Sequence, residues 1–173
     1  MRAIVCAVGL AALLAAAARG APAPPLVIQG DRALAGVRAG AMRAAVEAKL
    51  GPADSARRTS RGACRVVWRR LGLVLATIDF AERAPCRGQW VVATVTGRTW
   101  RTAKGLRVGQ PVGRLRHVYP AARFHGGFAP ERGWWLIERR RCAEAGGGPY
   151  PGLLARVRSG RVSALVVTVG VCE

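Results

Sequence analysis

Apolar residues along this chain follow two kinds of spacing, a helical one and an alternating one, and each kind occurs twice. From Ala41, the side chains Met42, Val46 and Leu50 recur at i, i+4 and i+8 with Ala45 beside them. That stripe predicts a helix, which Gly51-Pro52 should stop. Arg43 and Glu47 stand one helical turn apart on another face. A second helix is predicted from Pro111, with Val112, Leu115 and Tyr119 as its stripe and Pro120 as its end. Runs rich in β-branched and aromatic residues predict strands at 65–69, 71–79 and 90–96, then at 133–139, 152–158 and 161–169. Ser159-Gly160 lies between two alternating runs and reads as a two-residue hairpin turn. Leu26 to Asp31 reads as a short lead-in edge strand. The segments ADSARRTSRGA and AARFHGGFAPERG read as polar loops, and CAEAGGGPYPG as a Gly/Pro-rich connection.

The stretch Leu34 to Pro52 returns 69 residues later as Ala103 to Pro120, so that Gly36, Arg38 and Gly40 fall on Gly105, Arg107 and Gly109. The expectation is therefore an α+β fold of two tandem helix-plus-antiparallel-sheet repeats, residues 24–101 and 102–173, forming one curved sheet with the helices on one face. Strict alternation then sorts the side chains. Val66, Trp68, Val91, Ala93, Val95, Trp135, Ile137, Leu153, Ala155, Val157, Val162, Ala164 and Val166 should face the helices. Arg65, Val67, Arg69, Trp90, Val92, Thr94, Trp134, Leu136, Arg140, Leu154, Arg156, Arg158, Arg161 and Ser163 should face solvent. A sheet face carrying Trp and Arg is a recognition surface in outline.

The segment VRAGAMRAAVEAKLGP, a glycine turn and a helix ending in Leu-Gly-Pro before Trp-containing strands, resembles the small outer-membrane assembly lipoprotein domain of the SmpA/OmlA type. The tandem arrangement with a signal-like start and a cysteine pair per half is similar to beta-lactamase inhibitory protein and related secreted proteins. That resemblance implies two repeats that join their strands into a single sheet whose concave face binds a partner. No inhibitory residues are carried over, because this chain is far more basic.

Composition adds a compartment. Arg2 is followed by an apolar run from Ala3 to Ala18 and then by small residues and prolines. The run is short of the roughly 20 residues that span a bilayer, so residues 1–23 are expected to be a secretory signal cleaved between Ala18 and Ala23. An uncleaved N-terminal anchor is the alternative. No membrane-spanning segment is expected in the mature chain, which is placed outside the cytoplasm. Of the four cysteines beyond the signal, Cys64 and Cys86 lie in the first half, Cys142 and Cys172 in the second. Four cysteines allow three pairings; one bridge per half, Cys64 with Cys86 and Cys142 with Cys172, is the simplest. Zinc is the rival use of these thiols, and no C-x-x-C or nearby His spacing supports it.

The net charge is +19. Without Arg2 and Arg19 it is +17, which attracts polyanions in general. Of the 28 basic residues only Lys49 and Lys104 are lysines, and so strong an arginine skew is also what compositional bias produces. Catalytic signatures are missing. His117 and His125 with Glu131 have no third partner at metal spacing, there is no G-x-S-x-G turn, and Gly146 to Gly148 lack the lysine and helix of a phosphate loop. The sequence therefore predicts a non-catalytic binding protein without cofactor. Its partner is expected to be a secreted or envelope protein met through Trp90 and Trp134, with Arg65, Arg69, Arg140, Arg156, Arg158 and Arg161 around them. An anionic polymer or nucleic acid held by charge is the alternative.

Overall fold

The computed structural model describes residues 26–30, 32–81, 86–125, 134–141 and 149–169. The predicted signal at 1–23 and the proposed Cys142 to Cys172 bridge lie outside these residues. The elements in chain order are β1 (Val27–Ile28), β2 (Ala33–Leu34), β3 (Val37–Arg38), α1 (Arg43–Leu50), β4 (Ser55–Ser60), β5 (Ala63–Trp68), β6 (Leu73–Ile78), β7 (Gln89–Val95), β8 (Arg101–Thr102), α2 (Val112–Val118), β9 (Arg123–His125), β10 (Trp134–Arg141), β11 (Pro149–Arg158) and β12 (Arg161–Thr168). Strands dominate, and they form two sheets. The large antiparallel one runs in the order β4-β5-β6-β7-β12-β11-β10-β9, and the small mixed one runs β3-β2-β1-β8.

This corrects the expected α+β class of two helix-plus-sheet repeats. The glycines that defined the duplication do adopt like backbone conformations, with φ of 80° and 84° at Gly36 and Gly105, and 77° and 90° at Gly40 and Gly109. The units around them are unequal. Three strands of the small sheet precede α1, and a single one, β8, precedes α2, pairing in parallel with β1 through Val27 to Arg101 and Ile28 to Thr102. Each helix is a piece of about two turns, too short to stand without the sheet it packs on.

The elements share one core. It joins Ile28, Leu34 and Val37 of the small sheet, Val46 of α1, Leu115 of α2, and one face of the large sheet from Val66, Leu73 and Leu75 to Ala93, Val95, Leu153, Ala155, Leu165 and Val167. The α2 stripe holds in part: Leu115 and Tyr119 are buried and Val112 half-buried, while Pro111, predicted as the first helical residue, is an extended N-cap and Tyr119 is the C-cap. The α1 stripe is not: the helix begins at Arg43, so Met42 is an extended N-cap residue bridged to Gln89 and is 49% exposed. Gly51 caps α1 at φ 85°, its N–H donating to the Glu47 carbonyl.

Two predicted loops are strands. β4, SARRTS, is exposed at every position, so it carries no alternation to read and exists as an edge paired to β5. β9 is the opposite edge. The lead-in strand, predicted at an edge, is instead interior to the small sheet, and Pro149 to Gly152 of the predicted connection belong to β11. The predicted turn at Ser159-Gly160 joins β11 to β12, with both residues at positive φ.

The Cys64–Cys86 disulfide is formed, a cross-link of the kind that persists in oxidising compartments. It is tied to α1 by Arg43, whose Nη1 donates to the Cys86 carbonyl at 3.1 Å while Nη2 meets Glu47 Oε1 at 2.7 Å. Among the described residues no helix is long and apolar enough to cross a membrane.

Candidate binding face of the large sheet

Cross-strand partners in an antiparallel ladder share a face, so the register maps the side of the large sheet that lies away from the core. Its middle row runs Ser55, Val67, Val74, Thr94, Val166, Leu154, Leu136 and Arg123. A flanking row runs Arg57, Arg65, Ala76, Val92 and Thr168. On the other flank Ala164 pairs with Arg156, and Arg156 with Trp134. Of these residues, none whose side chain is described belongs to the core cluster. Val67, Val74, Ala76, Val92, Thr94 and Leu154 are half-buried.

Two β-bulges determine which residues reach this open face, and both defeat simple alternation. On β7, Val92 faces Ala76 and Trp90 faces Thr77, leaving Val91 as the extra residue. Two consecutive residues at such a bulge turn to the same side. Trp90 therefore joins the core, fully buried, with its indole N–H donating to the Arg38 carbonyl at 3.2 Å. This corrects its predicted place as an exposed anchor. On β12, Ser163 is the extra residue between Ala164, which faces Arg156, and Val162, which faces Val157. Val162 stays in the core as predicted, whereas Ala164 and Val166, predicted to face the helices, sit on the open face, where they are its most enclosed positions at 3% and 5% exposure.

Tryptophan serves the fold wherever its side chain is described. Trp68 donates to the Gly51 carbonyl at 2.9 Å and Trp100 to the Leu71 carbonyl at 2.8 Å, and both are buried. With Trp90, these indoles fix the end of α1, the end of β3 and the β5–β6 turn to the sheet, each giving its polar edge a partner as buried indoles do. Trp134 holds the register position opposite Arg156 and His125; its side chain lies outside the described residues, as does that of Arg140. Register shifts at Leu136/Glu138 and Glu138/Arg139 break the alternation that placed Arg140 with Trp134.

The predicted arginines divide. Arg65 is exposed on the open face directly opposite Arg57, a position the sequence reading missed because β4 looked like a loop. Arg156 is half-buried on the same face. Arg158 and Arg161 are exposed and directly opposite each other at the hairpin end, and Arg161 also donates to the Gly109 carbonyl at 3.0 Å. Arg69 lies in the turn after β5, its backbone N–H donating to Asp54 Oδ2 at 2.6 Å. Facing like charges are unfavourable, yet none of β4, β5, β6, β7, β11 or β12 contains an Asp or Glu. Among the described residues Arg57, Arg65 and Arg158 have no acidic partner.

The titratable residues singled out from the sequence do not come together among the described residues. His117 is exposed on α2, His125 sits on β9 and Glu131 is outside the described residues; among the described residues no cluster of three metal-ligating side chains occurs. A shallow apolar depression by the disulfide is lined by Met42, Ile78, Phe80, Ala81, Gly88 and Gln89 with Asp79 at its side.

No family model matches the chain, and no curated protein matches it. Among solved structures, an extracellular protein containing a SCP domain from Bacillus anthracis str. Ames aligns at 12% identity and a TM-score of 0.47. The match covers 75% of this chain and 43% of that one, so this chain spans less than half of that protein's length. A likeness at that level carries no argument about fold or function.

Proposed function

We propose that this is an exported, non-catalytic binding module that meets a protein partner through the open face of the large sheet. The observation that carries the reading is the composition of that face: half-buried aliphatic and threonine side chains across its centre, arginines around them, and no carboxylate on seven of its eight strands. An apolar centre within a charged rim is the usual anatomy of a protein interface. The sequence resemblance to secreted inhibitory proteins points the same way, and the disulfide suits an extracytoplasmic location. Trp90 has no part in recognition on this reading.

The net charge of +19 supports a second reading, an envelope component held to anionic polymer. The two respond differently to salt, because attachment by charge alone weakens steeply as ionic strength rises. The test is capture from secreted and envelope fractions at low and high salt, using the wild type and a Thr94→Glu variant that places a carboxylate in the middle of the face. A discrete protein, retained at high salt and lost with Thr94→Glu, is the expected result. Retention that disappears with salt and ignores Thr94→Glu would overturn the proposal in favour of the polymer.

A further inference from the structure

We infer that the segment bound on the open face is an amphipathic helix with carboxylates at both ends and an apolar stripe between them. This deepens the proposed function and rests on it. The two facing arginine pairs, Arg57/Arg65 and Arg158/Arg161, stand at opposite corners of the face. From β5 to β11 is four strand spacings, about 19 Å, and from the Arg65 row to Arg158 is six residues along the strands, about 20 Å. Followed flat along the sheet the corners are about 28 Å apart, and because neighbouring strands twist by about 20–25° the straight path is shorter, so a helix of about 19 residues is the longest that the span calls for. Along that diagonal the accessible floor is Val74 and Thr94, both half-buried, while Ala164 and Val166 beside them keep only 3% and 5% exposure; none of the four is charged.

Backbone chemistry selects a helix over an extended chain. The face of a sheet offers side chains only, because its N–H and C=O groups are spent within the ladder. A strand laid across it would bury unpaired amides, whereas a helix arrives with its own satisfied. Charge selects an acidic one. Each facing arginine pair repels within the free protein, and carboxylates at matching ends of a helix would remove that repulsion and pair with guanidinium groups. A second copy of this face would bring the same cations together, which excludes self-association through it.

The test uses fluorescence anisotropy on the intact oxidised protein with three labelled probes. One is a peptide of about 20 residues with glutamates at both ends and a leucine stripe between; the second has the same composition with the glutamates gathered at its centre; the third is single-stranded DNA of equal charge. The end-charged peptide should bind most tightly. Arg65→Glu with Arg158→Glu should weaken it about tenfold or more, while Arg107→Glu with Arg114→Glu, the same charge change at exposed positions off this face, should have a much smaller effect. Equal losses from the two double variants, or no preference for the end-charged peptide over the other probes, would overturn the inference. In that case a loss with Thr94→Glu would keep the open face as the binding site, and indifference to Thr94→Glu would remove the site as well.

Discussion

Trp90 decides between a tryptophan that recognises and one that supports. Its side chain is fully buried and its Nε1 donates to the Arg38 carbonyl, so truncation should act on stability. Trp90→Ala removes the largest kind of core side chain and should cost about 3–5 kcal/mol, a large part of the roughly 5–15 kcal/mol that holds a typical domain together. Trp90→Phe is the finer probe. It keeps most of the ring burial but loses the hydrogen bond, and the Arg38 carbonyl still accepts the Ala41 N–H at 3.1 Å. Because the carbonyl is not orphaned, the hydrogen-bond share should be only about 1 kcal/mol. Urea denaturation of both variants, under oxidising conditions that keep the disulfide intact, measures the difference. A Trp90→Ala variant within about 1 kcal/mol of wild type would contradict the burial, since a core Trp truncation does not come so cheaply.

Two further outcomes follow from local geometry. Replacing Cys64 and Cys86 by alanine opens a loop closed over a separation of 22 residues and should lower stability by about 3 kcal/mol on the chain-entropy view, read as a lower urea midpoint with a somewhat steeper slope, because the unfolded chain loses its cross-link. Two glycines should respond in opposite directions to alanine. At Gly97 a Cβ would collide with the Leu71 carbonyl oxygen, so Gly97→Ala should destabilise by about 1–3 kcal/mol. Gly113 lies inside α2 with open space around it, and Gly113→Ala should stabilise by about 0.5–1 kcal/mol; thermal melts of the pair test both signs.

What could be read from the sequence was whatever local chemistry determines. The helix stop at Gly51, the Leu115–Tyr119 stripe, the Ser159-Gly160 turn and the nearer disulfide each depend on a few neighbouring residues, and each is present. Of the small sheet only β1 was legible, within the Leu26 to Asp31 lead-in; its other strands are two residues long, and its parallel pairing joins residues as distant in sequence as Val27 and Arg101. β4 escaped notice because an edge strand exposed on both sides needs no apolar period. Met42 was misplaced because a helical spacing counts a residue before the helix begins. The face assignment failed at β7 and at β12 for one shared reason: a bulge is a property of two strands, and a single strand's sequence does not announce it.

That reason gives the sharpest contrast between deletions. In β6 every residue is spoken for: Leu73, Leu75 and Thr77 face the core, Val74, Ala76 and Ile78 face away, and no spare residue lies between them. Deleting Ala76 must move Leu73 and Leu75 out of the core or Thr77 and Ile78 onto the wrong faces, since a one-residue slip reverses every side chain beyond it. Expelling two buried leucines costs about 2–5 kcal/mol each, enough to abolish cooperative unfolding in a domain of ordinary stability. In β7 Val91 is the spare residue. Deleting it leaves Trp90 opposite Thr77 and Val92 opposite Ala76, as they stand now, so the losses are the burial of one valine, about 1.5–3 kcal/mol, and the carbonyl that accepts the Val169 N–H at 2.7 Å, about 1 kcal/mol. The Val91 deletion should therefore keep a cooperative urea transition and a blue-shifted tryptophan emission, and the Ala76 deletion should keep neither. Equal damage from both would mean that β7 pairs without a bulge, which would return Trp90 to the open face and the tryptophan-anchored interface to consideration.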